Sequence, residues 1–209
     1  NTLKLIRSSA KLQFRPVILA SQSATAATST DASSEAAKPS ASPTDASDSA
    51  WVTAELKAAF DALDCSKTFR EPGQVDDSTL PLITCDSSGY EKFVLGPVEI
   101  EGSNIADANA GTITTSTGAS TNTWAVNLDF DATGTKQFAD VTARLFPQTE
   151  PKNRFAVTLD GYVITAPTTN AVISGGSAQI TGNFDKLTSK ALADSLKYGS
   201  LPIGFEVQS

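Results

Sequence analysis

The residue types in this chain leave few chemistries open, because its 209 residues include no histidine. That removes Ser-His-Asp and Cys-His arrangements and every His-based metal site. Carboxylates remain. Asp129 and Asp131 flank Phe130 and could share a cation with Asn127 and Thr133, since calcium collects oxygens from alternating Asp and Asn. The full calcium-loop pattern, with its central Gly and closing Glu, is missing, so the stretch reads as a solvated strand face followed by a helix cap. Asp160 could be one of two carboxylates for glycoside hydrolysis, but it stands in an Asp160-Gly161 pair that turn geometry already explains. Gly175-Gly176 has neither phosphate-loop nor dinucleotide-fingerprint context, and Ser177 lies in no nucleophile elbow. No catalytic, cofactor-binding or metal-ligating residue is assigned, no cofactor is expected, and the chain reads as a non-enzyme.

Two cysteines remain, Cys65 and Cys85. Two readings compete. A disulfide closing the intervening loop would add roughly 3 kcal/mol by the chain-entropy model. Two free buried thiols would add only small apolar volume. The polar, loop-like segment between them favours the disulfide, and an oxidising, extracytoplasmic location follows from it.

The elements that must position these residues centre on residues 124–167. Trp124-Ala-Val-Asn-Leu-Asp-Phe130 alternates as a half-buried strand, with Val126, Leu128 and Phe130 on one face. Asp131 caps a helix in which Phe138, Val141, Leu145 and Phe146 recur at helical spacing, and Pro147 stops it. Arg154–Asp160, Gly161 and Tyr162–Pro167 read as a hairpin.

N-terminal to this block, Leu12 and Phe14 alternate with Lys11, Gln13 and Arg15, and Pro16 suggests an edge position or a bulge. Residues 21–50 are mostly Ala, Ser and Thr without large apolar side chains, the composition of a flexible, low-complexity insertion. Val52, Leu56, Ala59, Phe60 and Leu63 form one face of a helix, with Ser49 as its expected cap. Strands are expected at 90–95, briefly at 98–102, and at 113–117, with a short helix capped by Ser103 running through Ala108 and a turn over 118–122. After the hairpin come a strand over 178–184 and a helix capped by Asp185 or Thr188. Leu187, Ala191, Leu192 and Leu196 are expected inside that helix's packing face, Gly199 just past its end, and a last strand over 201–207.

The fold class is therefore α+β: a mostly antiparallel or mixed sheet with about three to four helices packed on it, plus a low-complexity insertion. With a net charge of −7, nothing favours nucleic acid or anionic lipid as a partner. No apolar run approaches the length that crosses a bilayer. The absence of Met, position 1 included, is what an internal stretch of a longer chain would show, so any membrane contact would come through segments outside it. Trp51 and Trp124 read as core. The physical handle for binding is a set of apolar residues near turns, Ile173, Ile180 and Leu201, since an extended polypeptide can add to a sheet edge or lie in an apolar groove.

Several stretches resemble one family. Ala10-Lys-Leu-Gln-Phe-Arg-Pro-Val17, Val126-Asn-Leu-Asp-Phe130, Gly134-Thr-Lys-Gln-Phe138 and Phe155-Ala-Val-Thr-Leu-Asp-Gly-Tyr-Val-Ile-Thr-Ala-Pro167 are similar to the first large extracytoplasmic domain of the SecDF family of protein-export membrane proteins. Ile173-Ser-Gly-Gly-Ser-Ala-Gln-Ile-Thr-Gly-Asn-Phe184 and Leu196-Lys-Tyr-Gly-Ser-Leu-Pro202 resemble its most recognisable signature. The Ala/Ser/Thr insertion and the cysteine loop depart from that pattern and suggest an actinobacterial elaboration. The resemblance implies a mobile head that captures emerging, unfolded preprotein, working with SecF beside the SecYEG channel in export driven by the proton-motive force. It implies residence on the extracytoplasmic face of the bacterial cell membrane, within a multi-pass parent. It divides the chain into an incoming strand (1–20), the insertion (21–50), the head (51–200) and an outgoing strand (201–209). Hinge candidates are then Arg15 and Pro16 on one side and Gly199, Leu201 and Pro202 on the other. A cell-surface adhesion or ligand-binding module is the alternative; a hydrolase would need turnover without His.

Overall fold

Two antiparallel sheets carry the fold in a computed structural model that describes residues 11–23, 42–67, 70, 74, 76–114, 120–181 and 184–199. The larger sheet is built on β1 (Leu12–Gln22), with β2 (Leu82–Cys85), β3 (Glu91–Leu95), β4 (Ile100–Glu101), β7 (Phe155–Leu159) and β8 (Tyr162–Thr165). Its order is β2-β3-β1-β7-β8, with β4 also pairing β1. The smaller sheet runs β5-β6-β9, from Ile105–Thr114, Ser120–Phe130 and Ser177–Thr181. Three helices, α1 (Ala54–Ala62), α2 (Ala132–Leu145) and α3 (Lys186–Gly199), complete an α+β architecture.

β1 is central, which corrects the edge reading of Pro16. Pro16 sits opposite Phe155 of β7, and the register toward β3 slips between Val17 and Leu19. The missing N–H is accommodated beside this bulge: Pro16 O accepts from Gly96 N at 2.9 Å, and Val17 N donates to Arg154 O at 3.1 Å. The larger sheet also curls on itself. Asp86 bridges Val163 in parallel, the Ser87 amide donates to Val163 O at 2.9 Å, and the Thr84 hydroxyl donates to Gly161 O at 2.5 Å. An apolar cluster of Val17, Leu82, Phe93, Leu95, Ala156 and Val163 then takes at least one residue from each of the five strands in that order.

The main core lies between the two sheets and the helices α2 and α3. Phe14, Phe130, Phe138 and Phe155 meet there with ring centroids 5.0 to 5.9 Å apart. Each such buried side chain contributes on the order of 1.5–3 kcal/mol relative to exposure. The strand–helix–hairpin block forms as its pattern requires. Asp131 accepts from Gly134 N at 2.7 Å to start α2, which buries Phe138, Val141 and Leu145. Phe146 does not follow them inward; it ends the helix and is exposed. The β7–β8 turn places Asp160 at φ 49° and Gly161 at φ 80°, the left-handed pair that an Asp-Gly hairpin turn uses.

Other local expectations are corrected by long-range pairing. Residues 103–108 are not a helix: a short 3-10 turn over Gly102–Asn104 leads into β5, because Ala108 and Ala110 lie opposite Leu128 and Val126 of β6. Residues 120–122 belong to β6 rather than to the expected turn, whose first two residues lie outside the described part. Thr53, not Ser49, caps α1, its hydroxyl accepting from Leu56 N at 3.1 Å; Ser49 opens a 3-10 turn capped by Asp48. β2 lies at the end of the cysteine segment that the sequence presents as loop-like. In α3 the inward residues are Ser189, Leu192, Ala193 and Leu196, while Leu187 and Ala191 face solvent and Gly199 is the last helical residue. Of the insertion, 21–23 and 42–50 fall in the described part, and Ser21 and Gln22 prove to be the end of β1, opposite Lys92 and Glu91. At 42–50 the Arg144 Nε donates to Ser47 Oγ at 3.0 Å, and the Trp51 ring N–H donates to Asp45 O at 2.8 Å. Residues 1–10, 24–41 and the expected strand over 201–207 lie outside the described residues.

Candidate polypeptide-binding face

Cys65 and Cys85 form a disulfide with their Cα atoms 5.7 Å apart. It joins the end of the α1 segment to the end of β2. Around it Leu56, Phe60, Leu63, Ile83 and Val94 form a separate small core. Lys92 reaches across from β3 to cap the C-terminus of α1, its Nζ donating to Asp61 O at 2.9 Å and lying 5.0 Å from the Phe60 ring centre. Burial pushes the Lys92 ammonium below its ordinary pKa.

The first pair of hinge candidates lies deep in the sheet. Arg15 is fully buried, donating from Nη1 to Leu80 O at 2.9 Å and Gly96 O at 3.0 Å, and from Nη2 to Asp77 O and Gln13 Oε1 at 3.3 Å. Desolvation lowers its pKa to about 10, with Asp76 and Glu101 opposing that shift. At the same end of the sheet, Arg70 pairs with Asp76 at 2.6 Å. Arg15 and Pro16 thus lie opposite Ala156 and Phe155 of β7 within a central strand, and on the other side the Pro16 carbonyl accepts from Gly96 N. Gly199 closes α3, and Leu201 and Pro202 lie outside the described residues.

Of the binding candidates, Ile180 is overturned as a surface contact. It is 3% exposed, opposite Val126 and inside the main core. Ile173 is half-buried against that core; its amide donates to the Thr142 hydroxyl of α2 at 3.0 Å. Leu201 lies outside the described residues. Exposed large apolar side chains missed by the sequence reading are Tyr90, Phe146, Val172 and Leu187. Val172 directly precedes Ile173, whose amide meets Thr142 of α2, and Phe146 follows the last residue of that helix. Asp129 accepts from Ser177 Oγ at 2.7 Å, and Asp131 caps α2.

An open cleft of about 490 Å³ lies between residues 43–51, β4 and α2, lined by Trp51, Pro97, Glu99, Glu101 and Gln137 among others. Glu99 is paired with Arg144, and burial nevertheless raises its pKa. No helix among the described residues is long and apolar enough to cross a membrane.

The fold is an α+β module of two antiparallel sheets and, among the described residues, three helices. The family described as "SecDF, P1 head subdomain" matches residues 81–203. The chain is 33% identical over 163 residues to the protein translocase subunit SecD of Streptomyces coelicolor, covering 76% of this chain and 28% of that protein. It is 37% identical over 135 residues to SecD of Mycobacterium tuberculosis, covering 63% and 22%. Those two sources are consistent with the actinobacterial lineage. A solved structure described as "Structure and function of a membrane component SecDF that enhances protein export" is similar at 25% identity and a TM-score of 0.49, over 100% of this chain and 72% of that one. The chain belongs to the SecDF family, and residues 81–203 are its P1 head subdomain. It spans only about a quarter of the length of these SecD relatives.

Proposed function

We propose that this chain is the extracytoplasmic head of a Sec translocon accessory subunit, and that it binds emerging, unfolded preprotein to assist export driven by the proton-motive force. It acts non-enzymatically, beside SecF and the SecYEG channel, with membrane contact made by the rest of its parent. The family match over residues 81–203 carries this reading. The Cys65–Cys85 disulfide supports an oxidising, extracytoplasmic location. The exposed apolar side chains of Phe146, at the end of α2, and of Val172 support contact with a chain that has not folded.

The test is photocrosslinking in the full-length protein in membranes, with the probe at exposed Val172 and a stalled secretory substrate. Crosslinks that form only during translocation are expected. Their absence from Val172, Phe146 and Tyr90 alike, with a reactive probe, would leave a structural role instead. The hinge is a proposal of the same kind. Bending at Arg15 or Pro16 would break the ladder to β7 and the carbonyl contacts of the Arg15 guanidinium, so Gly199 is the candidate that carries it.

A further inference from the structure

Antiparallel pairing sends the backbone groups of alternate residues to opposite edges of a strand. In β9 the register is fixed by the Phe130 amide donating to Gly176 O at 2.8 Å, with Leu128 opposite Ala178 and Val126 opposite Ile180. Ala178 and Ile180 therefore turn N–H and C=O toward β6. Ser177, Gln179 and Thr181 turn theirs outward, and β9 is the last strand of its sheet. The Thr181 carbonyl accepts from the Thr165 hydroxyl at 2.9 Å. The outward groups of Ser177 and Gln179 have no partner among the described residues.

Sheet edges are commonly blunted by charge, Pro or a covering element. Ser177-Ala-Gln-Ile-Thr181 carries neither charge nor Pro, within a chain of net charge −7. Its exposed side chains do not shield the edge either. Ser177 Oγ donates to Asp129 Oδ1 at 2.7 Å and Gln179 Nε2 to Asn127 Oδ1 at 2.8 Å, so both are drawn back over their own sheet. What the edge offers is backbone, and backbone is what it can recognise.

We propose that the outer edge of β9 takes up a stretch of extended, unfolded polypeptide as an added strand, pairing through the backbone of Ser177 and Gln179. This rests on the reading of the chain as a binder of unfolded polypeptide and names how it binds. Backbone groups are the same in every sequence except at Pro, so strand addition selects for unfolded state rather than side-chain pattern. A module serving many cargoes needs that selectivity.

The probe is reduced, carbamidomethylated lactalbumin, titrated into the 209-residue chain. Gln179→Pro removes an outward N–H while the inward ladder through Ala178 and Ile180 stays. Gln179→Ala loses the Asn127 contact but keeps the N–H. Gln179→Ala is expected to bind like the unaltered chain, and Gln179→Pro about tenfold more weakly. In the unaltered chain, bound probe is expected to slow hydrogen exchange at the Ser177 and Gln179 amides, which decides the matter should Gln179→Pro fail to fold. A folded Gln179→Pro variant with undiminished binding, or unchanged exchange at both amides with probe bound, would overturn the edge assignment and leave the wider reading standing. No binding by the unaltered chain would sink both.

Discussion

Arg15 shows how alternation can hide a residue's role. In the pattern Leu12, Gln13, Phe14, Arg15 it takes a polar slot, yet its guanidinium is buried and holds the carbonyls of Asp77, Leu80 and Gly96. Those acceptors are distant in sequence, so no local pattern could announce them. Arg15→Met should cost about 3 kcal/mol or more, because the carbonyls would stay buried without a donor. Arg15→Lys should recover little, since one ammonium cannot reproduce the fork. Urea unfolding checks both, and a loss under about 1 kcal/mol for Arg15→Met would mean that water replaces the guanidinium. Asp131, Asp160 and Gly161 were legible for the opposite reason: cap and turn chemistry act over a few residues and need no partner strand.

At the scale of elements, legibility follows the same divide. β6 from Trp124 onward, α2 and the β7–β8 hairpin carry dense apolar periodicity and form where the sequence places them. β5 is Ile-Ala-Asp-Ala-Asn-Ala-Gly-Thr-Ile-Thr, whose alanines favour helix locally; pairing with β6 overrides that preference. α3 forms as expected with Leu192 and Leu196 inward, but Ser189 and Ala193 share their face in place of Leu187 and Ala191, since a small or polar residue at a packed position leaves no apolar signal in the sequence. The α1 segment is the element most dependent on a staple: its nine-residue helix packs on a small separate core, held by the Cys65–Cys85 bond and the Lys92 cap. Reduction, or Cys65→Ser with Cys85→Ser, should lower stability by about 3 kcal/mol in the loop-closure model. Exchange in α1 should quicken first. Denaturant titration with and without reductant tests this. Coincident curves would show that the small core suffices alone.

At the scale of the molecule, α3 joins the body to the chain beyond it. Ser189, Leu192, Ala193 and Leu196 fix the helix to the smaller sheet and the main core, and Lys197 Nζ meets Asp107 Oδ1 at 2.7 Å. Gly199 is the last helical residue after these anchors, and glycine lets the backbone leave in directions other residues resist. The proposed swing of the head about this exit needs that freedom; a β-branched residue restricts it. Gly199→Val in the full-length protein should therefore slow maturation of secretory substrates in pulse-chase labelling. The stability of the isolated chain should change by less than about 1 kcal/mol, since the position ends a helix. A variant present at normal levels and exporting at the normal rate would remove Gly199 as a pivot. Strand addition at β9 would still stand in that case, because capture at a sheet edge requires no motion at the end of α3.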